Sequence, residues 1–221
     1  MKLVCLGASN PETIRVINAI KKNNKDFEFL GFVDNDPKKW GKEFYGYPIF
    51  GGLDKVKKLA KAGILFCNLI TRDTLTRYET SKALVENDAK LANLIHPSVN
   101  LEMIKIGIGN YIQENVILQA GVSIGNNSSI HTGSLIGHET KIGNSVFIAH
   151  GCNISGKVTI EDGVFVGVGA TILPRLTIGK WSIIGAGAVV IDNVPSYSVV
   201  VGVPAKIIKT LDKKYISGDV L

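Results

Sequence analysis

From position 106 every sixth residue is aliphatic: Ile106, Ile112, Leu118, Ile124, Ile130, Ile136, Ile142, Ile148, Ile154, Ile160, Val166, Ile172, Ile178, Ile184 and Val190. Two positions before most of them stands a smaller residue, as in Val116, Val122, Ser128, Ser134, Thr140, Val146, Cys152, Val158, Val164 and Ala170. A fixed period marks stacked units. Six residues are too few for a helical hairpin but suit one short strand and a turn. Three such strands close a triangular coil, so residues 18 apart stack on the same face, and the run spans about five coils of a parallel β-solenoid. Glycines follow the aliphatic residue at 107, 125, 137, 143, 167, 179 and 185, where the chain must bend.

Before this run the period changes. Apolar runs at 2–8 ("KLVCLGA"), 27–34, 64–70 and 91–95 read as strands. Helical patterns at 11–23, 53–63 and 74–88 lie between them. In 11–23, Ile14, Ile17 and Ile20 recur at steps of three, with Pro11 suited to the first turn. Alternating strands and helices predict a small parallel α/β sheet. The expected domains are 1–96, a Rossmann-like unit; 97–207, the solenoid; and 208–221, a tail.

Bulk properties narrow the function. The net charge of +6 fits a soluble protein, or one attracted to phosphate-bearing small molecules. No nucleic-acid motif accompanies it. Cys5, Cys67 and Cys152 are too scattered for a disulfide framework or a zinc knuckle. No apolar run approaches the roughly 18 residues of a membrane helix, and "MKLVCLGASN" is too short in apolar residues for a signal peptide. A cytoplasmic setting is expected.

One ionisable couple interrupts the repeat. In "SLIGHETKIG" (134–143), His138 and Glu139 follow the inward Ile136 and Gly137, so the imidazole lies at a corner and faces outward. The hexads run unbroken on both sides, so the couple is not needed to build them. An imidazole of pKa roughly 6.5 accepts a proton at neutral pH. No serine or cysteine nucleophile motif appears, which favours direct transfer over a covalent intermediate.

The hexad pattern and the ending "GVPAKII" (202–208) resemble the hexapeptide-repeat acyltransferases. A small α/β domain before the solenoid, with the 134–143 segment, is similar to the bacterial sugar acyltransferases that modify nucleotide-linked amino sugars or sialic acid. The resemblance implies a left-handed coil, a homotrimer, acetyl-CoA as co-substrate and no metal. It implies His138 as general base and Glu139 as the acid that raises its basicity. It places Gly156, Val168 and Ala186 along a coenzyme A groove between two solenoids. Phe147 stands where the family often has a coenzyme-contacting histidine, and His150 shares a column with Val168 and Ala186, so it substitutes in that role. His131 replaces an asparagine at the acceptor pocket. The loop "GASNPET" (7–13) replaces a glycine-rich phosphate loop, with Ser9, Asn10 and Pro11 facing the nucleotide. Asp34-Asn35 stands for an acidic pair at the nucleobase. His131, His138 and His150, spaced by 7 and 12, do not match the zinc histidines of solenoid carbonic anhydrases. The expected activity is N-acetylation of a nucleotide-linked amino-deoxy sugar. O-acetylation of a sugar is the alternative, and a non-catalytic trimeric scaffold is the rival from another class.

Overall fold

A computed structural model describes residues 1–71 and 73–212. The N-terminal sheet is parallel in the order β2 (Glu28–Val33), β1 (Lys2–Leu6), β5 (Leu65–Asn68), β6 (Lys90–Leu91). Three helices cover it: α1 (Glu12–Asn23), α2 (Val56–Lys61) and α3 (Thr74–Glu86). The Ile-rich side of α1 buries Val16 and Ile17 against Leu3, Cys5 and Phe29. A small antiparallel hairpin, β3 (Glu43–Phe44) and β4 (Tyr47–Pro48), follows β2 and adds to the elements the apolar pattern predicts. Its strands are only two residues long, below the length at which alternation can be read.

The hexads fold as expected into a parallel β-solenoid. The first face stacks Lys105–Ile106, Ser123–Ile124, Lys141–Ile142, Thr159–Ile160 and Thr177–Ile178. The third stacks Ile117–Leu118, Leu135–Ile136, Asn153–Ile154, Thr171–Ile172 and Val189–Val190. The second runs through Tyr111–Ile112, Ser129–Ile130, Phe147–Ile148, Phe165–Val166 and Ile183–Ile184, and is longer than the others, with eight strands. Ser198–Val201 continues it in parallel, and Lys206–Thr210 closes it antiparallel as an exposed edge. The stack therefore reaches about six turns where the hexads alone give five.

The run read as one strand at 91–95 divides. Lys90–Leu91 pairs with β5, whereas β7 (Leu94–Ile95) pairs with Tyr111–Ile112 in the solenoid. Asn93 fixes the break: its side chain donates to Gly107 O and accepts from Asn110 N, each at 2.8 Å. The part of the expected tail beyond Asp212 lies outside the described residues.

Inside the solenoid each sixth aliphatic residue sits on the one 18 positions away, as in Ile130, Ile148 and Val166. The smaller residues before them fill the corners, and the polar ones satisfy corner carbonyls of the next coil. Ser134 Oγ donates to Ala149 O at 2.7 Å, and Thr140 Oγ1 to Ser155 O at 2.9 Å. A buried hydroxyl is tolerated there because it has a partner. Ile148, fully buried at mid-stack, tests this packing. Ile148→Ala is expected to lower unfolding free energy by about 2–5 kcal/mol in urea denaturation.

The two parts share a buried polar junction. Arg77 of α3 is fully buried, and its guanidinium donates to Asn127 O (2.7 Å), Asn68 O (2.9 Å) and Ile70 O (3.1 Å). Burial pushes its pKa down to about 10, so it remains charged near neutrality. Ser81 Oγ donates to Asn127 Oδ1 at 2.6 Å, and Thr13 of α1 meets the Tyr111 hydroxyl at 3.3 Å. These bonds hold the α/β unit against the second face.

Candidate active site

His138 lies on the corner between the third and first faces, with its side chain 56% exposed. Three bonds fix it. Its N–H donates to Gln119 Oε1 at 2.9 Å, its carbonyl accepts from Lys157 N at 2.8 Å, and its ring Nδ1 lies 3.0 Å from Glu139 Oε2. The hydrogen bond to His138, then the nearby Lys157 ammonium, holds the Glu139 carboxyl below the usual carboxylate range. An ionised carboxylate only accepts. The hydrogen therefore belongs on Nδ1, and Nε2 carries the free lone pair.

That Nε2 stands directly over Gly156, one coil along. A Cβ built on Gly156 would lie 2.5 Å from Nε2 and 2.8 Å from Cδ2. Glycine is required there by the ring above it, since Gly156 does not adopt the left-handed backbone seen at its neighbours. The corner thus presents a carboxylate-oriented imidazole over a glycine.

Lys157 joins the couple from the next coil. Its Nζ lies 3.5 Å from the same Glu139 Oε2 that holds His138. The signal was available, because 139 and 157 differ by one 18-residue coil.

His150, Val168 and Ala186 form an exposed column on a different corner, between the second and third faces. Gly169 N donates to His150 O at 3.0 Å and Gly187 N to Val168 O at 2.8 Å, which stacks the column. Within one chain the third face separates it from His138 and Gly156. Phe147 and His131 are buried: the Phe147 ring stacks on Phe165 at 4.8 Å, and His131 packs 4.7 Å from Phe147 and 4.9 Å from His150. In the single chain neither presents a free surface.

His131 Nε2 meets Ser129 Oγ at 3.0 Å, while Nδ1 has no partner among the described residues. Burial, with the charges of His150 and Arg77 adding to it, pushes its pKa down to about 3. The unfolded ring titrates at roughly 6.5. Below that pH the unfolded state binds a proton that the folded state refuses, so stability is complete above roughly pH 6.5 and falls as pH drops towards 3. His131→Asn is expected to flatten this acid decline, read as melting temperature against pH.

In the N-terminal unit, Ser9, Asn10 and Pro11 are exposed at the start of α1. Few amides there remain open. Asn10 Oδ1 accepts from Glu12 N at 2.9 Å, and the Ala8 N–H donates to Asp34 Oδ2 at 2.8 Å. Asp34 is 6% exposed, and its other oxygen accepts from Asp36 N at 2.9 Å. Burial raises its pKa, but the bond from Lys39 Nζ (2.8 Å) and the two amides outweigh that and leave it lowered. Asp34 is thus an internal brace, and the exposed Asn35 is the member of the pair open to a ligand. Beside the brace lies a cleft of about 340 Å³ whose lining includes Ser9, Lys39, Lys42, Glu43 and Phe44.

No three His, Cys, Asp or Glu side chains converge on a common point among the described residues. All three cysteines are fully buried.

The family model of the bacterial transferase hexapeptide (six repeats) matches residues 139–174 and 157–192. No curated protein matches the chain by sequence. Among solved structures, the chain is similar to PerB from Caulobacter crescentus in complex with CoA and GDP-perosamine. That match has 27% identity over 95% of this chain and 98% of that one, with a TM-score of 0.83. It is similar to a perosamine N-acetyltransferase of the same organism with one histidine changed to asparagine, at 26% identity over 95% and 97%, TM-score 0.83. It is also similar to WeeI from Acinetobacter baumannii AYE, at 26% identity over 94% and 100%, TM-score 0.81. The solenoid thus carries the bacterial transferase hexapeptide, and with its preceding parallel sheet the chain is similar over nearly its whole length to a perosamine N-acetyltransferase.

Proposed function

We propose that the protein transfers the acetyl group of acetyl-CoA to the amine of a nucleotide-linked amino-deoxy sugar, with His138 as general base. The observation that carries this reading is the His138 ring. Its Nδ1 is bound to Glu139 and its Nε2 is free above Gly156. The likeness to a chain in complex with CoA and GDP-perosamine supplies the substrate class.

The chemistry follows from those atoms. The neutral sugar amine attacks the thioester carbonyl carbon, and Nε2 takes the proton the nitrogen sheds. The C–S bond then breaks, and the imidazolium returns its proton to the departing sulfur. The products are the acetamido sugar and coenzyme A, with His138 neutral again. Glu139 stabilises the transient imidazolium. Transfer is direct, because Cys152, the cysteine of the solenoid, is buried and directs its Sγ at Gly167 O, 3.2 Å away.

The coenzyme runs along the columns of the solenoid. His138 and Gly156 occupy one corner, and His150, Val168 and Ala186 another. In the homotrimer that the resemblance implies, the two columns would meet in one groove between chains. The nucleotide enters the cleft beside Ser9, where Lys42 is the cation not taken up by the Asp34 brace and stands in for a glycine-rich loop, with Glu43 on the same lining.

The test is an acetyl-transfer assay with GDP- and UDP-linked amino sugars and their hydroxyl counterparts, read as released thiol and product mass. The reading requires acetylated product at nitrogen. Acetylation of hydroxyl acceptors at an equal or higher rate would overturn it.

A further inference from the structure

We infer that Lys157 is a positioning residue that sets the basicity of His138 through the carboxylate oxygen the two share. The inference rests on the reading of His138 as base and adds a third member to the couple.

Glu139 Oε2 accepts from His138 Nδ1 at 3.0 Å and lies 3.5 Å from Lys157 Nζ. The arrangement is built by the coil. Leu135 pairs with Asn153 and Ile136 with Ile154, which sets 157 directly under 139. The Lys157 N–H donates to His138 O at 2.8 Å, so the lysine is tied to the backbone of the residue it influences. Glu139 and Lys157 both take left-handed backbone, with φ of 58° and 61°, in a column where the coil above has Gly121 at 80°. Glycine takes that conformation without strain. Here three charged residues, Glu139, Lys157 and Arg175, occupy it in succession, and the side chains of the first two meet at 3.5 Å.

The electrostatic consequence has one sign. Glu139 raises the basicity of His138 by stabilising the imidazolium. A second cation at the same oxygen opposes the imidazolium and draws on the same lone pairs, so it lowers that basicity. The other charged groups of this corner are Glu102, two coils above, and Arg175, one coil below Lys157. Gln119, Ala120 and Gly121, directly above the couple, are uncharged, and Lys141 projects from the first face beside it. Lys157 is thus the cation in contact with the couple. It shares the oxygen that fixes the ring's tautomer.

The experiment is an NMR titration of the His138 ring in the full chain, with the pH profile of kcat/KM alongside. Lys157→Met is expected to move the His138 pKa, and with it the acid limb of the profile, upward by roughly 0.2–0.7 units, the range for exposed charge pairs. Lys157→Arg restores the wild-type value, Lys157→Glu moves it further up, and added salt shrinks the shift. An unmoved ring pKa at low salt overturns the inference while leaving the base assignment intact, and so does a Lys157→Met effect confined to the KM for acetyl-CoA. Full activity of His138→Ala would instead remove the base assignment, and the role of Lys157 with it.

Discussion

Replacing His138 with alanine is expected to lower kcat by about 10²–10⁴-fold, the usual worth of a positioned general base, and to leave the fold untouched. The second half of this statement follows from where the residue sits. The side chain is more than half exposed, and among the described residues it hydrogen-bonds Glu139. The bonds that hold the corner, to Gln119 Oε1 and from Lys157 N, use the backbone of residue 138 and survive the change. A surface substitution of this kind alters stability by about 0.5 kcal/mol or less. Steady-state assay and thermal melting of the same preparation check both halves. A retained rate would remove His138 as the base, whereas no acetyl transfer by the unchanged protein would favour the non-catalytic trimeric scaffold.

Gly156→Ala carries the second large effect, and it separates geometry from chemistry because no titratable group changes. The added methyl would sit 2.5 Å from His138 Nε2 and 3.0 Å from Cε1, so the ring must swing off its floor. Displacement of a catalytic group by about 1 Å costs on the order of 10²-fold in rate. The clash is with an exposed side chain, and Gly156 is not left-handed, so the melting temperature should hold. Gly137 provides the contrast. A Cβ there would strike Gly156 N and Ser155 C in the next coil, and that clash opens the backbone stack. Loss of rate with an unchanged melt at 156 supports the imidazole position. An unchanged rate would show that His138 works from another rotamer.

Much of this architecture was legible because the repeat is strict. A period of six fixes which residues point inward, and the coil length of 18 fixes which residues stack. Those two numbers place Ile136 in the core and His138 on an edge. They also place Lys157 beneath Glu139, although charge pairing across coils had to be seen before that offset drew notice. Features that depend on the two parts meeting were not legible. The hexads set His131 just outside the core, yet it is buried, with the rings of Tyr111, Phe147 and His150 packed around it. Asp34 reads as a nucleobase ligand beside Asn35 until Ala8, Asp36 and Lys39 are found to take up its carboxylate. The run at 91–95 reads as one strand, because the Asn93 bonds that divide it reach 14 and 17 residues along the chain.

The central claim is that the free nitrogen of His138 faces the reacting amine beside the thioester carrier. A crystal structure with coenzyme A and a nucleotide-linked amino sugar bound tests it directly. The account predicts the sugar nitrogen within hydrogen-bond reach of Nε2, roughly 2.6–3.2 Å, and the coenzyme sulfur on the same corner above Gly156. A bound amine on another face, or a His138 ring turned from the coenzyme, would contradict it.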